Sequence, residues 1–237
     1  MLIAPQNSPA ATQVAANLAL LRAQIAAAAR DAGRSEHCIT LLAVSKGQGA
    51  AQVRAAAAAG LSHFGESYVA EALPKIHALQ ELGLTWHFIG RVQANKTRPI
   101  ATHFDWVHGI DRLKVAERLS EQRPHHARPL EVCLQVNIAA DAHKAGVAPA
   151  QAGELALAVH ALPRLRLRGL MCILPAGRGA DDDRRSFVAL RELQREINRQ
   201  DLGLDTLSMG MSADYRAAIA AGSTLVRIGT ALFGPRS

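Results

Sequence analysis

Aromatic residues are scarce in this chain: Phe, Trp and Tyr make up 4% of its 237 residues, against 49% for hydrophobic residues as a whole. A core built from these residues is aliphatic, and the hydrophobic share is enough for a sizeable one. Cysteine is nearly absent. Cys38, Cys133 and Cys172 are odd in number and lack CxxC spacing. That excludes a disulfide framework and a zinc site, and implies reduced thiols in a reducing compartment. No run of about 18 apolar residues exists, so no membrane span is expected. The opening MLIAPQNSPAATQ lacks a basic segment leading into an apolar stretch, which argues against a secretory leader. A cytoplasmic location is the expectation. P-loop, GxSxG and HExxH patterns are missing. His125-His126 has no spaced third ligand, so no metal is expected.

The formal charge of +7 raises the question of a nucleic-acid partner. The arginines are spread over many segments, mixed with Asp and Glu, and form no basic stripe interleaved with aromatics. Nucleic acid is therefore not expected as a partner, and strongly salt-dependent retention on DNA or RNA would be the sign of the contrary.

What is present is alternation. Short aliphatic or β-branched runs are followed by longer Ala- and Leu-rich stretches of helical period, the pattern of βα units around a parallel sheet. The spacing predicts an opening helix over about residues 9–32. Val14, Leu18, Leu21 and Ile25 make its apolar stripe and Gly33 its stop. Strands are predicted at 39–45, 62–64, 85–89, 105–109, 130–137, 165–171, 206–208 and 224–228. Asp111 reads as the N-cap of the helix containing RLKVAERL, and Asp181, Asp182 and Asp183 as a helix start. Eight strands imply a single (β/α)8 barrel, with a doubly wound open sheet as the competitor. Nine residues follow the eighth strand, too few for a closing helix, and the opening helix is expected to cover that seam. Nothing like a linker divides the chain, so 1–237 reads as one domain.

Two segments carry candidate chemistry. ITLLAVSKGQGA places Lys46 directly after an apolar strand, where a barrel presents functional groups at its C-terminal rim. Desolvation there lowers a lysine's pKa and leaves an amine able to form a Schiff base. A plain surface lysine ending a strand fits the same position. The second segment, LSMGMSADYRAAIAAGSTLVRIGTALFG, holds two anion-binding elements. Ser212 falls at or near the N-cap of the helix DYRAAIAAG. Arg227-Ile228-Gly229-Thr230 leaves the last strand at a glycine, with Thr230 adding a hydroxyl. A capped helix and a turn account equally for Ser212. Arg227 is harder to explain away, since strand alternation turns it opposite to Val226 and Ile228, where a guanidinium needs a partner.

With LLAVSK, HFGES, WHFIGRVQANK, QVNIA, LRGLM and LSMGMSADYRAAIAAGSTLVRIGTALFG in that order, the chain resembles the YggS/PROSC family of pyridoxal 5′-phosphate (PLP) homeostasis proteins. These are relatives of the alanine racemase barrel. The likeness spans about Leu20 to Arg236. It implies that PLP is held as a Schiff base on Lys46, with Ser212, Gly229 and Thr230 around the phosphate. Arg227 would face the pyridine nitrogen or lie beside the phosphate. One departure is Ser67, where the family usually has asparagine, which puts any contact of that side chain with the cofactor in doubt. His87, Asn95 and Lys96 also fall in family motifs; His87, between Trp86 and Phe88, reads more readily as a satisfied barrel residue than as a catalyst.

Racemisation on PLP needs a proton-transfer group on each face of the substrate α-carbon. Lys46 serves one face. In alanine racemase the other is a tyrosine from a further domain across a dimer interface. Neither Tyr68 nor Tyr215 has an evident reason to lie opposite Lys46. The expectation is a non-catalytic PLP carrier of vitamin B6 homeostasis, a monomer, delivering PLP to apo-enzymes. A weak PLP-dependent racemase or lyase using Lys46 is the alternative.

Overall fold

The computed structural model of the chain describes residues 9–234; the N-terminal segment read above as lacking a leader lies largely outside them. Eight parallel strands close into a barrel in sequence order. They are β1 (Thr40–Val44), β2 (His63–Glu66), β3 (Thr85–Phe88), β4 (Trp106–Ile110), β5 (Leu130–Gln135), β6 (Leu165–Met171), β7 (Thr206–Ser208) and β8 (Leu225–Ile228). Closure comes from β1 pairing with β8, with Leu42 opposite Arg227 and Ala43 opposite Ile228. An open sheet is thereby excluded.

Helix α1 (Pro9–Asp31) precedes the barrel. Its stripe of Val14, Leu18, Leu21 and Ile25 is buried as the four-three-four spacing predicts, and Gly33 follows in the left-handed region at φ +65°. Between strands run α2 (Ala50–Ala58), α3 (Val69–Ala78), α4 (Thr97–His103), α5 (Leu113–Gln122), α6 (Pro149–His160), α7 (Ala180–Asn198) and α8 (Tyr215–Ala220). A single turn, α9 (Thr230–Phe233), follows β8, where no helix was expected. Helix α1 covers this seam, packing on α2, α8 and α9, and Asn17 Nδ2 donates to Leu232 O at 2.9 Å. No described helix is long and apolar enough to cross a membrane.

The reading of Asp111 as an N-cap is corrected. Helix α5 starts at Leu113, the cap position is Arg112, and no side chain caps it. Asp111 stands one residue too early to meet the first-turn N–H groups and pairs with Arg112 at 3.2 Å instead. Asp181, Asp182 and Asp183 do occupy the first turn of α7.

Candidate functional site

Parallel strands in a barrel present their C-terminal ends on one rim. On that rim a cavity of about 340 Å³ is lined by Lys46, Ser67, Ser212, Arg227, Gly229 and Thr230, with Val44, Ile89 and Ile173 as apolar wall. All five residues predicted around the cofactor thus meet in one space, although Lys46 is far from the others in sequence.

Lys46 follows β1 in a turn that is braced on both sides. Lys75 on α3, buried, donates to Ser45 O at 2.9 Å. Its ammonium also pairs with Glu66 Oε1 at 2.7 Å and Glu71 Oε1 at 2.8 Å. Ser45 Oγ donates to Glu66 Oε1 at 2.6 Å, and the Gly47 N–H donates to Glu71 Oε1. Burial pushes the Glu66 carboxyl above the usual carboxylate range, against the pull of Lys75 and Ser45. Sequence reasoning missed this cluster. Its one legible trace is the Glu71–Lys75 pair at i,i+4.

Arg227 faces the barrel interior, as strand alternation requires, while Val226 and Ile228 join the surrounding apolar layer. Its partners are Ser208 O (2.6 Å) and Ser208 Oγ (2.8 Å) on Nη1, and Cys172 O (2.8 Å) on Nη2. Burial lowers its pKa, yet a guanidinium keeps its charge at any ordinary pH. A Cβ added at Gly229 would lie 3.2 Å from Val44 O, so the glycine lets the loop after β8 close tightly over β1. Thr230 opens α9 beside it.

Ser212 stands two residues before the cap position of α8, which is Asp214, so it is not the cap. The turn from Met211 to Asp214 intervenes, with Asp214 N–H and Tyr215 N–H both donating to Met211 O. Ser212 is exposed at the cavity lip instead. Ser67 lines the same cavity, shorter than asparagine but in place. His87 is fully buried inside the barrel, hydrogen-bonded to two other imidazoles. Asn95 and Lys96 lie exposed in a short 3-10 turn and do not line the cavity. Tyr68 is 66% exposed at the start of α3, and the hydroxyl of buried Tyr215 donates to Gln24 Oε1 at 3.0 Å. Neither tyrosine lines the cavity with Lys46.

A family model described as the alanine racemase N-terminal domain matches residues 16–237. The pyridoxal phosphate homeostasis protein of Pseudomonas aeruginosa is 56% identical over 223 residues, 94% of this chain and 96% of that protein. The protein of the same name from Escherichia coli K12 is 51% identical over 233 residues, 94% of this chain and 97% of its own length. Among solved structures, PipY of Synechococcus elongatus with PLP bound aligns with a TM-score of 0.83 at 39% identity, covering 94% of this chain and 100% of that one.

Proposed function

This chain belongs to the family of the alanine racemase N-terminal domain, and from that premise we propose that it binds PLP in the rim cavity and serves vitamin B6 homeostasis. The observation that carries this reading is the meeting of Lys46 with Ser212, Arg227, Gly229 and Thr230 in one cavity. Its volume falls in the ordinary range for a small-molecule site. The donor set fits the cofactor: an amine for the aldehyde, hydroxyls and backbone N–H groups for the phosphate, and a cation for the ring side.

When bound, PLP supplies an electrophilic carbon and a ring that accepts electrons. In this reading Lys46 Nζ would hold the cofactor by its aldehyde carbon, on a turn held still by Lys75, Glu66 and Glu71. Gly229, Thr230 and Ser212 would hold the phosphate. Arg227, fixed by Ser208 and Cys172, would hold a permanent positive charge in the cavity, which beside the pyridine nitrogen would oppose its protonation and weaken the electron sink.

The same cavity supports a carrier over an enzyme. Among its described lining residues only Lys46 and Arg227 ionise, and an arginine does not act as a base. Racemisation needs a second proton-transfer group, and none stands here. Delivery to apo-enzymes accords with a lip at which Met211, Ser212 and Ala213 are exposed. A single-domain monomer is supported by closure of one sheet and by exposed large apolar side chains that lie on separate elements, such as Leu20 and Leu157.

The test is the visible spectrum of the PLP-loaded protein beside its Lys46→Ala variant, before and after borohydride. The band of lysine-bound cofactor is expected in the first and absent in the second; a band that survives the substitution overturns the assignment. Incubation with single-enantiomer amino acids in deuterated water is expected to give no rapid Lys46-dependent α-proton exchange. Rapid exchange would establish the enzymatic alternative.

A further inference from the structure

A line of polar side chains runs through the barrel interior from end to end. His63 Nδ1 lies 2.9 Å from His87 Nε2, and His87 Nδ1 lies 2.9 Å from His108 Nε2. His108 Nδ1 lies 2.8 Å from Ser208 Oγ across the barrel, and Ser208 Oγ lies 2.8 Å from Arg227 Nη1. His87, His108 and Ser208 are fully buried. His63 is the half-buried end. It lines a second cavity, of about 360 Å³, together with Arg22, Glu36 and Ser62. That cavity opens at the start of β1 and β2, the opposite end from the rim. The line therefore joins two cavities, and Arg227 belongs to the upper one.

The chemistry of Arg227 fixes the direction of every bond. A guanidinium has no acceptor, so its N–H donates to Ser208 Oγ. The Ser208 hydroxyl hydrogen then has one buried acceptor within reach, His108 Nδ1. Pointing it elsewhere leaves a buried donor unpaired, which is costly away from water. With Nδ1 accepting, neutral His108 carries its proton on Nε2 and donates to His87 Nδ1; His87 in turn donates from Nε2 to His63 Nδ1. All three rings are then Nε2–H tautomers, aligned head to tail. Burial, followed by the nearby Arg227 charge, holds His108 neutral down to about pH 3, and burial likewise keeps His87 neutral. A second N–H on His63 has room only if the sense reverses. It would donate to His87 Nε2, passing Nδ1–H forms to His87 and His108 and leaving Ser208 Oγ to accept two N–H groups at once.

We propose that His63, His87, His108 and Ser208 are positioning residues for Arg227, and that uptake of one proton by His63 reverses the tautomers of His87 and His108 and so makes Arg227 share Ser208 Oγ with a second donor, the Nδ1–H of His108. Net, one proton is gained and ends as the Nδ1–H of His63; His87 and His108 each exchange an Nε2–H for an Nδ1–H, and the Ser208 hydroxyl keeps its hydrogen but gives up His108 Nδ1 as its acceptor. The titratable and charged groups around it are Asp105 ahead of β4, His87 on β3, and Arg22 on α1 and Glu36 before β1, which line the same cavity. Burial pulls the His63 pKa down and Asp105 pulls it up. The tautomer half of the proposal stands without a cofactor; its consequence for the cofactor rests on the PLP reading above.

Long-range nitrogen–proton NMR spectra of the ligand-free protein, taken from about pH 8 down to about pH 5, read each ring's tautomer directly and need no variant. The expected result is Nε2–H at His63, His87 and His108 at the upper end, with His87 and His108 switching to Nδ1–H at the midpoint of His63. Nδ1–H rings at the start, or rings at 87 and 108 that do not change as His63 titrates, overturn it. In the PLP-loaded protein, His63→Gln is expected to remove that midpoint from the pH profile of the visible band while one cofactor per chain is still fixed by borohydride. A profile unchanged by His63→Gln contradicts the coupling, whereas loss of cofactor binding in the unsubstituted protein would strike the PLP reading and leave the NMR result standing.

Discussion

Gly229 gives the plainest residue-scale consequence. Its backbone is in a region open to alanine (φ −117°), but the added Cβ would press on Val44 O at 3.2 Å. Gly229→Ala is expected to leave folding intact and to weaken PLP binding on the order of tenfold or more, measured by absorbance titration; unchanged affinity would remove Gly229 from the site. The thiols make a second case. Cys133 and Cys172 are buried and pushed up to about 12 by desolvation, while Cys38 is exposed. Under native conditions a thiol reagent is expected to modify Cys38 alone, with the other two reacting only on unfolding, as intact-mass analysis would record. Lys46 and Arg227 were legible in the sequence because strand alternation and the ends of apolar runs are local signals. The Lys75–Glu66–Ser45 brace was not, because it depends on where α3 lies over β2. Ser212 falls near the helix start, as its sequence suggests, but the cap position itself is Asp214, because the Met211–Asp214 turn comes between them.

At the scale of elements, the eight strands and α1 stand close to where periodicity placed them, since buried parallel strands and a two-faced helix carry the strongest hydrophobic patterns. Helix ends were less legible: Asp111 has the right chemistry one position too early. The fit between β6 and β7 was hidden altogether. A Cβ at Gly169 would lie 1.8 Å from Thr206 O, a contact no sequence pattern records. Gly169→Ala is therefore expected to cost about 4 kcal/mol or more, read as a large fall in the urea midpoint. A shift below about 1 kcal/mol would mean that the two strands part easily.

The molecule as a whole should lose stability toward acid through its buried imidazoles. His108 titrates near 6.5 in an unfolded chain and is held down to about 3 in the folded one. Its contribution is thus complete above about pH 6.5 and is lost progressively as pH falls toward about 3, at up to about 1.4 kcal/mol per pH unit. His87, lowered in the same sense by burial, steepens the loss. Glu66, raised by burial, acts oppositely from about pH 4.5 upward and flattens part of the window. Denaturation midpoints between about pH 7 and pH 4 check this, and His108→Gln is expected to reduce the slope. The closed barrel, which pairs β1 with β8, is what makes a lysine after the first strand and a loop after the last into neighbours. The most direct measurement of that claim is peptide mapping of the PLP-loaded, borohydride-reduced protein by mass spectrometry. One phosphopyridoxyl group per chain, on Lys46, is the result expected; the group on Lys75, Lys96 or another lysine, or no group at all, would contradict it.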